Sequence, residues 1–210
     1  MVDMMADNYI EYVIESPLYP MIIKEGNYPT VYFPTPFGEL TQDEKEKIVN
    51  RTRKLIDTAM KSKPERFYID LRGNLGGDFF LFYFALYPLL PEAKVIITGV
   101  DHDNQIKAEI KEEAGNVKFI IDGFTSIERK IPDPKKYKVD VYVRINPKSM
   151  SSSQLIAIMF IQAFSRDRVL GVAPANYTNG SVPSANFDHS VVFPYYMFRD
   201  LYGNVYDNGV

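Results

Sequence analysis

Two stretches combine residue types that could do chemistry. In Arg72-Gly73-Asn74-Leu75-Gly76-Gly77 the glycines let the backbone approach a ligand closely and adopt positive φ, as an oxyanion or phosphate site requires. In Ser149-Met150-Ser151-Ser152-Ser153-Gln154 a cluster of hydroxyls precedes an apolar run, where one could act as a nucleophile beside unpaired N–H groups. Each also has a plain structural reading: glycines after a strand serve a tight turn, and serines before a helix serve as N-caps. A phosphate loop of the form Gly-x-x-x-x-Gly-Lys-Ser/Thr is absent, since no lysine follows Gly77. The chain holds two histidines, His102 and His189, and no cysteine, which excludes disulfides, thiolate metal sites and a cysteine nucleophile together.

The elements around these stretches place them alike, each at a strand end that opens a helix. Residues 67–71 are apolar and β-prone and run into the glycine turn, after which an aromatic helix is expected over about 78–90. Residues 139–145 alternate as a strand and meet the serine run, and residues 154–164 read as an apolar helix followed by a strand at 168–172. Upstream, residues 31–33 read as a short strand flanked by prolines. Thr41 and Glu44 have the spacing of a capping box, and Ile48, Leu55, Ile56, Ala59 and Met60 give the helix behind them an apolar face until Pro64. Between the two stretches, short runs at 94–98, 106–110, 117–121 and 126–131 are separated by turn clusters and predict a small antiparallel insert. The tail reads as loops and strands, with a strand at 191–193 and a turn at Tyr202-Gly203-Asn204. No repeat or low-complexity linker divides the chain, so residues 1–210 are expected to form a single α/β domain with a β-insert at about 93–131.

Composition narrows the partners. The formal net charge of -3 and pI near 5.5 argue against a basic nucleic-acid surface. The longest apolar stretch, 79–90, is too short for the roughly 20 residues of a membrane-spanning helix. Residues 1–6 lack a positively charged n-region, so no signal peptide is expected in the sequence as it stands.

Phe67-Tyr68-Ile69-Asp70-Leu71-Arg72-Gly73-Asn74-Leu75-Gly76-Gly77 resembles the Asp-Leu-Arg-Gly-Asn-x-Gly-Gly signature of the tail-specific (carboxy-terminal processing) serine peptidases. Residues 141–157 resemble that family's hydrophobic strand and Thr-Ala-Ser-Ala/Ser-x-Glu segment. Residues 171–178 resemble its Gly-x-Pro-Thr-Ala-Gly-Tyr-Thr segment, most visibly at Ala175, Tyr177 and Thr178. Residues 202–210 resemble the family's end. The likeness is greatest to the branch that lacks a PDZ domain and carries a β-insert, that of the nisin resistance protein. It implies a crotonase-like (ClpP/crotonase) α/β peptidase core, a peptide or protein substrate, no cofactor and no metal, and a cell-envelope or secreted setting. It also implies Ser151 as catalytic nucleophile, with oxyanion donors from Gly76 or Gly77 and from Ser152.

The resemblance leaves the general base open. Processing peptidases use a lysine downstream of the serine, yet the last lysine here is Lys148, and the matching positions hold Asn176 or Tyr177. The PDZ-less branch takes a histidine from an upstream Asp-x-His-Ser/Thr motif, whose counterpart Asp7-Asn8-Tyr9-Ile10 carries Tyr9 instead. Gln154 stands where the family has glutamate. His102 reads as a solvated turn residue, which leaves His189, after Asp188, and Tyr9 as the candidates for base.

Overall fold

The computed structural model describes residues 19–25, 28–35, 40–92, 95–100, 103, 105–171, 179–183 and 192–199. Strands β1 (Met21–Glu25) and β2 (Tyr28–Tyr32) form an antiparallel pair, and β2 then lies parallel to β3 (Arg66–Asp70). Strand β8 (Asp140–Arg144) continues the parallel run beside β3, and the two-residue β9 (Val169–Leu170) closes the five-stranded sheet in the order β1-β2-β3-β8-β9.

Each parallel step is made by a helical connection: α1 (Gln42–Met60) after β2, α2 (Phe79–Leu86) after β3, and α3 (Ser152–Phe164) after β8. The steps all run in one direction across the sheet, so right-handed crossovers put the three helices on one face. The alternation of the strands agrees, since Phe67, Ile69, Val141 and Val143 are buried in the same core as helix residues Ile56, Leu86 and Ile156. All three helix N-termini therefore lie at the C-terminal end of the parallel strands, where open α/β sheets place their ligand sites.

Local chemistry explains the element bounds. The capping box is formed: the Glu44 N–H donates to Thr41 Oγ1 (3.3 Å) and the Thr41 N–H donates to Glu44 Oε2 (2.8 Å). α2 is apolar on every side because it is packed between α1 and α3, and its end tightens into a 3₁₀ turn at Tyr87–Leu89. The strand expected at 168–172 is only Val169–Leu170, preceded by a 3₁₀ turn at Arg166–Arg168. Gly171 ends it at φ +101°, where an added Cβ would lie 2.0 Å from the Ile145 carbonyl oxygen.

The described residues of the expected insert are strands joined by turns, without a helix: β4 (Val95–Val100), β5 (Ile106–Glu113), β6 (Asn116–Ile121) and β7 (Phe124–Lys130) form an antiparallel meander. It is larger than its sequence suggests. β11 (Val192–Arg199) and β10 (Asn179–Pro183) add to β4, giving a six-stranded sheet ordered β10-β11-β4-β5-β6-β7, and Ile97, Ile110 and Val117 join the main core. No helix among the described residues is long and apolar enough to cross a membrane.

Candidate active site

The glycine turn leaves β3 through Leu71, whose N–H donates to the Arg144 carbonyl (2.9 Å) and so extends the parallel pairing by one residue. Asp70 then folds the chain back. Its buried carboxylate accepts from the Arg72 N–H (3.0 Å), Nε (3.0 Å) and Nη2 (2.6 Å), a bidentate clamp two residues apart. Asn74 organises the rest of the turn: its Nδ2 donates to the Phe33 carbonyl (2.8 Å), and its Oδ1 accepts the Gly76 N–H (2.7 Å). Gly73, Gly76 and Gly77 stand at φ 75°, 94° and 134°.

The serine turn is stitched directly to it. Asn146 Oδ1 accepts the Gly73 N–H (2.9 Å), the Ser149 hydroxyl donates to the Leu71 carbonyl (2.8 Å), and the Met150 N–H donates to the Asn74 carbonyl (2.9 Å). The Ser152 hydroxyl donates to the Gly77 carbonyl (2.6 Å), and the Ser153 hydroxyl donates to the Met150 carbonyl (2.8 Å). Ser149, Ser152 and Ser153 are thus buried and engaged as structural ties. Ser151 differs from all three. It is exposed at the N-terminus of α3, its backbone sits at φ 52° and ψ −122°, and its hydroxyl meets no hydrogen-bond partner among the described residues. A non-glycine residue in that conformation stores strain of the sort found where a strand-to-helix turn presents a nucleophile.

Gly76 packs against it. A Cβ built on Gly76 would fall 2.6 Å from Ser151 Cβ and 3.2 Å from its Oγ. The structure therefore brings Ser151, Ser152, Gly76 and Gly77 together, but it divides the glycine donors. The Gly76 N–H donates to Asn74 Oδ1 (2.7 Å). The Gly77 and Ser152 N–H groups donate to no acceptor among the described residues, and Ser152 opens a helix whose positive dipole end favours a negative charge there.

The other candidates are placed unequally. Tyr9, His189, His102, Asn176 and Tyr177 lie outside the described residues. Gln154 is fully buried and donates from Nε2 to the Ser149 carbonyl (2.9 Å), which makes it a support of the serine turn. Among the described residues no group of three or more His, Cys, Asp or Glu could hold a metal ion. Sequence reading missed Asn74, Asn146 and Thr35, whose Oγ1 accepts the Leu75 N–H (2.8 Å). Asn146 before Pro147 carried the signal of an Asx turn, with its Oδ1 accepting the Lys148 N–H (3.0 Å).

Comparison with known proteins adds to this geometry. Residues 36–192 match the model of peptidase family S41. The nisin-resistance protein of Lactococcus lactis subsp. lactis is 32% identical over 142 residues, a stretch covering 67% of this chain and 42% of that protein. Among solved structures, a lipoprotein from Streptococcus agalactiae superposes with a TM-score of 0.68 at 15% identity, over 97% of this chain and 67% of its own. The photosystem II D1 C-terminal processing protease superposes with a TM-score of 0.54 at 12% identity, over 90% of this chain and 43% of its own. The chain thus spans less than half the length of the curated relative it matches, and at these identities the solved structures speak for the fold alone.

Proposed function

The chain belongs to peptidase family S41, and on that premise we propose that it is a serine-type endopeptidase with Ser151 as nucleophile. The observation that carries the reading is the division of labour in the serine run: three hydroxyls are tied to backbone carbonyls and Ser151 alone is presented, against Gly76 and beside the unspent N–H groups of Gly77 and Ser152. In this reading Ser151 Oγ attacks the scissile carbonyl carbon while its proton passes to a base. The Gly77 and Ser152 N–H groups hold the oxyanion, the C–N bond breaks as the leaving amine takes the proton, and water then hydrolyses the acyl-enzyme. Each oxyanion donor of this kind is worth about a hundredfold to a thousandfold in rate. His189 and Tyr9 remain the proposed bases.

The same reading takes the core as crotonase-like, which the parallel β2-β3-β8-β9 run with helices on one face supports. It also takes residues 1–210 as one domain with a β-unit inserted at about 93–131, a reading to which the shared core residues of the two sheets lend weight.

One observation favours a second reading, a recognition module that binds extended peptides or protein C-termini without cleaving them: no lysine follows Lys148 in the sequence, and Tyr9 stands where the PDZ-less branch has its histidine. Hydrolysis and binding of one unstructured peptide by wild type, Ser151→Ala and His189→Ala decide between them. The peptidase reading expects hydrolysis that Ser151→Ala abolishes while binding persists, with a parallel loss in His189→Ala if His189 is the base. Hydrolysis that survives in Ser151→Ala refutes the nucleophile, and binding with no hydrolysis in wild type favours the module.

A further inference from the structure

We propose that the cavity between α1 and α2 is a peptide subsite that takes a large apolar side chain with a carboxylate beside it. The cavity measures about 320 Å³, the lower end of the range for small-ligand pockets and room for one such side chain. Its apolar wall is Val49 of α1 with Phe80, Leu81 and Phe84 of α2. Its roof is the segment after β7, including Pro132, and that roof is fixed in place. The buried Arg53 guanidinium donates from Nε to the Phe84 carbonyl (2.9 Å) and from Nη2 to the Asp133 carbonyl (2.6 Å), clamping the segment to α2.

Placement links the cavity to Ser151. Its lining residues come from the N-terminal half of α1, from Asp78 and α2 as far as Phe84, and from the end of β7 with the segment after it, so its α1 and Asp78 side lies toward the helix N-termini, where Ser151 also lies. Asp78 lines it, caps α2 through its side chain (2.9 Å to the Phe80 N–H), and directly follows Gly77. In this proposal a peptide whose carbonyl oxygen meets the Gly77 N–H has Asp78, the next residue of the chain and part of the cavity lining, beside it.

Charge at the rim supplies the second half of the specificity. Lys45 and Asp78 neutralise one another (2.7 Å), and Glu46 accepts from Gln42 Nε2 (3.0 Å). Arg129 and Lys130 also line the cavity, and Arg129 Nη1 donates to the Glu128 carbonyl (3.1 Å). Lys45, Arg129 and Lys130 against Asp78 and Glu46 leave the rim one positive charge in excess, which suits an acidic residue next to the buried side chain.

The inference rests on the Ser151 reading only for the path of the peptide, and binding tests it apart from cleavage. Fluorescence anisotropy on the full chain carrying Ser151→Ala would compare labelled peptides with internal Phe-Asp, Ala-Asp or Phe-Lys, and with terminal Phe as free acid or amide. The Phe-Asp peptide is expected to bind about tenfold tighter than the Ala-Asp peptide, and a preference confined to the terminal free acid over its amide would overturn the acidic-neighbour reading. Asn50→Trp, an exposed position on the cavity wall, should fill the space and erase the preference for Phe over Ala. Arg129→Glu with Lys130→Glu should transfer the preference from Phe-Asp to Phe-Lys. Equal affinity for Phe and Ala peptides, or preferences that survive both sets of substitutions in folded protein, would overturn the subsite. Absence of hydrolysis in wild type alongside these preferences would instead refute the Ser151 reading and leave the subsite standing.

Discussion

At Ser151 the backbone is held at φ 52° by the ties on either side of it, Met150 N–H to the Asn74 carbonyl and the Ser152 hydroxyl to the Gly77 carbonyl. A strained conformation of this type costs about 1–3 kcal/mol and persists only where its surroundings over-determine it. Gly76 is part of that constraint, which yields a controlled test. Gly76→Ala adds both an unfavourable φ of +94° and a Cβ 2.6 Å from Ser151 Cβ, whereas Gly115→Ala adds a comparable φ of +76° with nothing within 4 Å. Both variants are expected to lose about 1 kcal/mol or more in urea unfolding, and on the proposed peptidase reading only Gly76→Ala loses Ser151-dependent hydrolysis as well. Equal activity in the two variants would show that contact with Gly76 does not position Ser151.

Helix α1 begins at its capping box and also supplies one wall of the cavity. Thr41→Ala removes the side-chain acceptor of the Glu44 N–H and is expected to lower stability by about 1 kcal/mol, read as a shift in urea midpoint without a change in slope. The Lys45–Asp78 pair joins α1 to the cap of α2, but both side chains are one-third exposed, so Lys45→Ala should cost less than Thr41→Ala. The capping box was legible because it depends on two residues three apart. β1 was missed although Gly26-Asn27, between Glu25 and its partner Tyr28, has the composition of a two-residue hairpin connection. Its strands, Met21–Glu25 and Tyr28–Tyr32, do not alternate cleanly between apolar and polar residues, which hid the pairing.

Across the whole molecule, the second sheet is tied to α2 by Glu112 of β5, whose carboxylate accepts from the hydroxyls of Tyr83 and Tyr87 (2.8 Å each). Burial, and then the neighbouring carboxylate, push both phenols well above their usual range. The folded state therefore keeps these protons to higher pH than the unfolded state, so the stability they contribute is complete below pH 10.0 and falls as pH rises beyond it. Lys136 acts in the opposite sense, since burial lowers its pKa and its contribution rises toward pH 10.5. Tyr83→Phe is expected to be about 2 kcal/mol less stable at pH 8, where it lacks a hydrogen bond to a charged group. That deficit should shrink by about 1.4 kcal/mol per pH unit above pH 10, because the variant has one fewer proton to retain. Urea unfolding at pH 8, 10 and 11 measures it, and a constant deficit would contradict the linkage.

Legible in the order of residues were the strand-turn-helix units, the capping box at Thr41, the glycine turn, and the stretch in which a nucleophile could lie. Those features are local, set by propensity, turn chemistry and residues a few positions apart. Which serine is presented was not local: Ser149, Ser152 and Ser153 are consumed by carbonyls of Leu71, Gly77 and Met150, two of them more than 70 residues away. The donors are told apart locally, since Gly76 and Gly77 are adjacent and the Asn74 side chain, two residues before Gly76, takes the Gly76 N–H. The reach of the second sheet came from a pairing between β11 and β4 that no short-range pattern encodes. The ties of Ser149 to Leu71 and of Ser152 to Gly77 form only once parallel pairing has aligned the ends of β3 and β8, a juxtaposition that residue order does not specify.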